Sequence, residues 1–167
     1  MRRGGREGND MDPEIVTPEW TVEAEALRSL RPRHILFMCV ANAARSQLAE
    51  GIARSLAPPG VRISSAGAIS YRVSPLAVRV LEEIGIDASG QRSKAVDEID
   101  TRDVEAVVTL CAEQVCPVFP RSVPRIHWPL EDPTFVPGGE EASLRAFRAA
   151  RDELRRRLAV LFDGWSA

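Results

Sequence analysis

The residues able to do covalent or acid–base chemistry stand in three groups. They are Cys39 with Arg45 and Ser46 in the run Cys39-Val-Ala-Asn-Ala-Ala-Arg45-Ser46, the pair Cys111 and Cys116, and Asp132 ahead of Pro133. A thiol and an arginine separated by small or polar residues suit a tetrahedral oxyanion. If the chain wraps from a strand end into a helix N-terminus between them, the backbone N–H groups of Val40, Ala41, Asn42, Ala43 and Ala44 point into the wrap. The helix dipole adds partial positive charge, and Arg45 closes the ring with a two-pronged guanidinium. The same field favours the thiolate of Cys39 and makes it a nucleophile at neutral pH. Ser46 can cap the helix or donate to the Cys39 sulfur, and Asn42 tolerates a left-handed loop conformation. A bare Cys-x5-Arg match is weak in a chain this rich in arginine, so the flanking elements carry the reading.

Those elements are legible. His34-Ile-Leu-Phe-Met38 predicts a buried strand, and Ser46–Ala57 a helix with Leu48, Ala49, Ile52, Ala53 and Leu56 on one face. Pro58-Pro59-Gly60 ends it. Val61–Ser65 alternates like a second strand, with Ala66-Gly67 turning the chain away, and Ser74-Pro75 supplies an N-cap and a first-turn proline for a helix carrying Leu76, Val80, Leu81 and Ile84. Val104–Leu110 and Arg125–Trp128 read as two more strands, and Ser143–Phe162 as a final amphipathic helix. Strands alternating with helices imply an α/β fold, a parallel sheet with helices on both faces, whose sites lie at the carboxyl ends of the strands. Cys39, Cys111 and Asp132 all fall at such ends. Glu19–Leu30 predicts a short helix with Trp20, Val22, Ala26, Leu27 and Leu30 as its apolar contacts, and residues 1–18 a polar, disordered leader. The expected organisation is an N-terminal extension over 1–31 and a catalytic domain over 32–167.

Composition narrows the function classes. A net charge of −2 gives no broad field for nucleic acid or an anionic membrane, and no apolar run reaches membrane-spanning length, so the expected setting is the cytoplasm. Three cysteines make no disulfide framework. The four-residue gap between Cys111 and Cys116 is neither a zinc knuckle nor a Cys-x-x-Cys redox pair, and no second cysteine or histidine pair completes a metal site. His34 and His127 read as structural, and Arg155-Arg156-Arg157 as the solvated face of the last helix.

The run Ile35–Ala57, with Cys39-x5-Arg45-Ser46 followed by Gln47-Leu-Ala-Glu-Gly51, resembles the low-molecular-weight protein tyrosine phosphatase superfamily, above all its arsenate reductase branch. Ser65-Ala-Gly67, Gly90-Gln-Arg-Ser-Lys94, Val107-Val-Thr-Leu-Cys111 and His127-Trp-Pro-Leu-Glu-Asp-Pro133 extend the likeness in order. The resemblance implies a three-layer fold on a four-stranded parallel sheet, nucleophilic Cys39, oxyanion binding by Arg45 and proton transfer by Asp132. Phosphatase and reductase share the first step, attack of a thiolate on phosphorus or arsenic, and differ in what breaks the adduct. Water suffices for a phosphocysteine, whereas reduction needs further thiols. In the resembled reductases a cysteine pair at the place of Cys111 and Cys116 passes the oxidation outward. The expectation is therefore arsenate reduction through a Cys39–Cys111–Cys116 relay, with no bound cofactor and an external dithiol such as thioredoxin. The alternatives are hydrolysis of phosphate monoesters and a non-enzymatic redox or anion sensor. Lys94 stands where some members carry an acid near a potassium site, so no required metal is expected.

Overall fold

Four six-residue strands build the centre of the molecule. A computed structural model describes residues 16–113 and 116–166. In it, β1 (His34–Cys39) and β3 (Ala106–Cys111) are buried along their whole length, as interior parallel strands must be, and β2 (Arg62–Gly67) and β4 (Arg125–Leu130) flank them in the order β2-β1-β3-β4. All three pairings are parallel, and Cys39 lies opposite Gly67 at the end of the β1·β2 ladder. The register of β3 against β4 shifts between Thr109 and Cys111, and Trp128 and Leu130, two residues apart on β4, both enter the core.

The helices are α1 (Glu19–Leu30), α2 (Arg45–Leu56), α3 (Pro75–Glu82) and α4 (Gly139–Phe162). Their buried residues join one large cluster with Ile35, Phe37, Cys39, Val108 and Leu110, on one face of the sheet. The other face bears a smaller cluster of Leu36, Met38, Ala66, Val104, Val107 and Phe119, packed by Val96, Ile99 and Val123. The second outer layer is therefore thinner than expected, a 3₁₀ turn at Val96–Glu98 and loop segments in place of a long helix. The cause is in the connection from β3 to β4: Pro117, Pro120 and Pro124 each remove a helical donor.

Some faces differ from the sequence reading. On α1 the buried residues are Ala24 and Leu27, while Val22, Ala26 and Leu30 are exposed; Arg28 donates to the carbonyls of Val160 and Asp163 and fixes this phase against α4. Leu56, at the end of α2, is exposed as well. Arg157 is not solvated: it lies over the rings of Trp20 and Trp128 and pairs with Glu153. The leader expected over 1–18 falls mostly on residues 1–15, outside the described residues. No described helix is long and apolar enough to cross a membrane.

Candidate active site

The segment between β1 and α2 turns its carbonyls outward. Val40 O accepts from Ile69 N, Ala41 O from Ser93 Oγ, Asn42 O from Gln47 Nε2, Ala43 O from Ser74 N and Ala44 O from Leu48 N, at 2.8–3.1 Å. None of the backbone N–H groups of 41–44 meets an acceptor among the described residues. A loop with every carbonyl tied outside and its donors left over is a cradle for an anion. Asn42 makes the turn possible with φ 48°, as expected of that residue type. Gly67 permits the tight approach of β2: a Cβ there would lie 2.6 Å from Val40 O and 2.7 Å from both Asn42 N and Ile69 O.

Behind the cradle runs a buried hydrogen-bond chain with a defined direction. The Asn42 Nδ2 group donates to Ser46 Oγ at 2.7 Å and to Ser65 Oγ at 2.9 Å. Ser46 Oγ lies 2.8 Å from Cys39 Sγ. Since Asn42 occupies an acceptor lobe of Ser46, the hydroxyl proton of Ser46 is free to point at the sulfur, where it stabilises negative charge. Of the two roles open to Ser46 in the sequence, the structure has the second; α2 has no side-chain cap. Asn42 Oδ1 in turn accepts from Gln47 Nε2 and Lys94 N, and Gln91 braces Gln47. Ser65 donates to Glu50, a carboxylate only 2% exposed that also pairs with Arg54 at 2.6 Å and lies 3.8 Å from Lys94 Nζ. Burial lowers the Lys94 ammonium's proton affinity, partly offset by Glu50. Its charge stands beside Glu50, and Nζ donates to Arg92 O at 2.6 Å. Glu50, Ser65 and Gln91 are supporting residues; the sequence places them in the runs that carry the family resemblance but assigns them no role.

A pocket of about 500 Å³ opens over the cradle, lined by Cys39, Val40, Ala41, Ala43, Ala44, Arg45 and Asp132 among the expected residues. Asn42 and Ser46 do not line it; both are fully buried behind the loop. Tyr71, Arg72, Glu113, Thr134 and Phe135 complete the wall. Arg45 is 3% exposed in its side chain. Its Nη1 donates to Glu113 Oε2 at 2.9 Å and to Leu130 O at 3.0 Å, and its Nη2 to Glu113 Oε1 at 2.8 Å. Burial opposes the Arg45 charge, but the Glu113 bond, with Cys39 and Asp132 nearby, outweighs it and raises the pKa above the ordinary arginine value. The same bond holds the Glu113 carboxyl below the usual glutamate range against partial burial. Asp132 is partly exposed, its Oδ2 3.7 Å from Arg45 Nη2 and its Oδ1 accepting from Thr134 N at 2.9 Å, so it is at once a turn residue and a pocket acid.

Cys39 and Cys111 sit at the ends of the adjacent strands β1 and β3, and Cys116 lies in the connection that follows β3. Cys111 is joined to Cys116 in a disulfide with Cα atoms 5.6 Å apart, and Cys39 is a free thiol. Cys39 and Cys111 are buried in the same core cluster, while Cys116 is partly exposed. His34 is buried between Asp103 and Ser64, and His127 is exposed and bonded to Thr109; neither reaches the pocket. No group of three or more His, Cys, Asp or Glu able to hold a metal occurs among the described residues.

Residues 34–165 match the family described as low molecular weight phosphotyrosine protein phosphatase. The chain belongs to that family. Among relatives, the arsenate reductase of Halalkalibacterium halodurans is 39% identical over 131 residues, 77% of this chain and 94% of that protein. Among solved structures, an arsenate reductase in the phosphate binding state superposes with TM-score 0.68 at 33% identity, covering 80% of this chain and 99% of the other. A thioredoxin-dependent arsenate reductase of Corynebacterium glutamicum superposes with TM-score 0.54 at 26% identity over 81% of this chain and 67% of its own. Within the phosphatase family, then, the chain stands with the arsenate reductases. The matched segment begins at His34, so α1 lies ahead of it.

Proposed function

We infer that this protein is a thiol-dependent arsenate reductase, and the observation that carries the reading is a free Cys39 under an oxyanion cradle beside a Cys111–Cys116 disulfide. That is the state such an enzyme would reach after one turnover. Arsenate enters the cradle, its oxygens meeting the N–H groups of the loop and Arg45. The Cys39 thiolate attacks arsenic(V), and Asp132 protonates the departing oxygen, which leaves as water. The Cys111 sulfur then attacks the Cys39 sulfur. The S–As electron pair stays on arsenic, releasing arsenite as arsenic(III) and leaving a Cys39–Cys111 disulfide. Cys116 attacks Cys111, restores the Cys39 thiolate and forms the Cys111–Cys116 bond. An external dithiol of the thioredoxin type returns two electrons, entering at Cys116, the more exposed sulfur. No resident cofactor enters this scheme, and with Lys94 beside Glu50 turnover should be equal in potassium and sodium salts.

A second reading has its own support. Tyr71 and Phe135, 70% and 85% exposed, stand at the rim of a pocket larger than a bare oxyanion fills, and their rings offer apolar contact to the aryl group of a phosphate ester. The Cys116→Ala protein separates the two. As a reductase it should release about one arsenite per molecule and then stop, with Cys39 linked to Cys111 by mass spectrometry, and Cys111→Ala should give no burst. Steady arsenite turnover in both variants would refute the relay, whereas aryl phosphate hydrolysis with no arsenite from the wild type would replace reduction with phosphatase chemistry.

A further inference from the structure

The fork of the oxyanion-binding arginine is already taken. Glu113 holds both terminal nitrogens of Arg45 at 2.8 and 2.9 Å, and Leu130 O takes the remaining Nη1 proton. An arriving oxyanion is left the Nε edge of a guanidinium whose charge is neutralised. It also meets three groups that carry or can carry negative charge, Glu113, Asp132 and Cys39, around that one buried cation. Glu113 follows Cys111 by two residues, inside the loop that the Cys111–Cys116 bond closes at a Cα separation of 5.6 Å. The carboxylate is thus part of the segment whose covalent state changes in each turnover.

We propose that Glu113 is a built-in competitor of the oxyanion: while Cys111–Cys116 is oxidised it occupies Arg45, and opening the disulfide frees its segment and returns Arg45 to the substrate. This rests on the reductase reading for its purpose. An oxidised molecule has no thiol pair to finish a reaction, so arsenate or phosphate held there would be held idle. With Glu113 in place the site turns over its occupant, carboxylate for oxyanion, in step with the relay. The contact is suited to exchange, because the Glu113 side chain is 41% exposed and can swing into solvent, whereas Arg45 is fixed by burial.

Calorimetric titration with inorganic phosphate tests this on the full chain, prepared as the disulfide and as the dithiol after reduction and desalting. For wild type, phosphate should bind at least about tenfold more weakly to the disulfide form, a difference of about 1.4 kcal/mol. In Glu113→Gln, isosteric and part exposed, the disulfide form should tighten to within about threefold of the dithiol form. Equal wild-type affinities in the two states would overturn the proposal, and so would a gap that persists in Glu113→Gln. Weaker binding by Glu113→Gln in both states alike would make Glu113 an orienting partner of Arg45 and also overturn it. Arsenite release is scored separately on the same dithiol samples. Redox-dependent phosphate binding without arsenite would defeat the reductase reading alone, and arsenite release without that dependence would defeat only the exchange.

Discussion

Replacing Ser46 by alanine isolates the contribution of one proton to the reactivity of Cys39. The hydroxyl is 2.8 Å from the sulfur and receives Asn42 Nδ2 on its other side, so its hydrogen has a single use. A hydrogen bond to a charged group is worth about 1.5–3 kcal/mol, which corresponds to roughly 10- to 150-fold in the rate of a step that uses the sulfur as an anion. The deletion also strands one proton of Asn42 in a fully buried site, a cost that falls on folding stability and not on the sulfur. Alkylation by iodoacetamide measures this directly, because in the disulfide form Cys39 is the sole free thiol of the three. At pH 7 the Ser46→Ala protein should be alkylated at least about tenfold more slowly than wild type. Its single-turnover arsenite release should slow in parallel. A rate within twofold of wild type would mean that the hydroxyl does not stabilise the thiolate and that the directed chain from Asn42 has no chemical effect.

Three further outcomes follow from the geometry. Asp132→Asn should slow the chemical step by about 10²–10⁴ while leaving phosphate affinity nearly unchanged; loss of binding with normal turnover of bound substrate would reduce Asp132 to its turn contact with Thr134. Gly67→Ala should cost about 1–3 kcal/mol in urea unfolding and also weaken phosphate binding, since its Cβ would press on Val40 O and Asn42 N; intact binding would show that the cradle gives way without harm. Burial, helped by Arg62 and opposed by Asp103, lowers the pKa of His34 from 6.5, so the unfolded chain binds more protons than the native one in the window below that value. Stability from this source is complete above pH 6.5 and is lost as pH falls through the native pKa. Urea midpoints from pH 5 to 8 should show that slope in wild type and a flatter one in His34→Gln.

The parts of this site that could be read from the sequence are those set by local geometry. Cys39, Asn42, Arg45 and Ser46 lie in one strand-loop-helix passage, where residue type and spacing carry the conformation. Asp132, ahead of Pro133 at a strand end, has the residue type of a turn as well as of an acid, and it both accepts from Thr134 N and lines the pocket. Glu113 was invisible: an exposed-looking acid in a loop becomes a site residue only through a partner 68 positions away in the chain. The roles of Ser65 and Gln91 come from meeting Asn42 and Gln47 across the fold, and that of Glu50 from meeting Ser65 on β2. The phase of α1 was misread because its apolar residues fit two faces equally well, and only the docking of Arg28 against the end of α4 decides between them. The thin second layer was not legible because alternating strands and helices imply cover on both faces without saying which helix lies on which, and here all four pack into the same core cluster.

The strand order also governs how copies of this chain can meet. With β2 and β4 outermost, each sheet edge is a potential template for strand addition and thus for aggregation. On β4 the ladder is interrupted by Pro129, which has no N–H to offer, and by the shifted register around it. On β2 the far end is closed by the bridge from Gly67 to Ala95, and Arg62 places a charge at the start. Neither edge presents a regular row of donors and acceptors to a second molecule. Among the described residues this disfavours the edge-to-edge pairing of folded copies from which fibres grow.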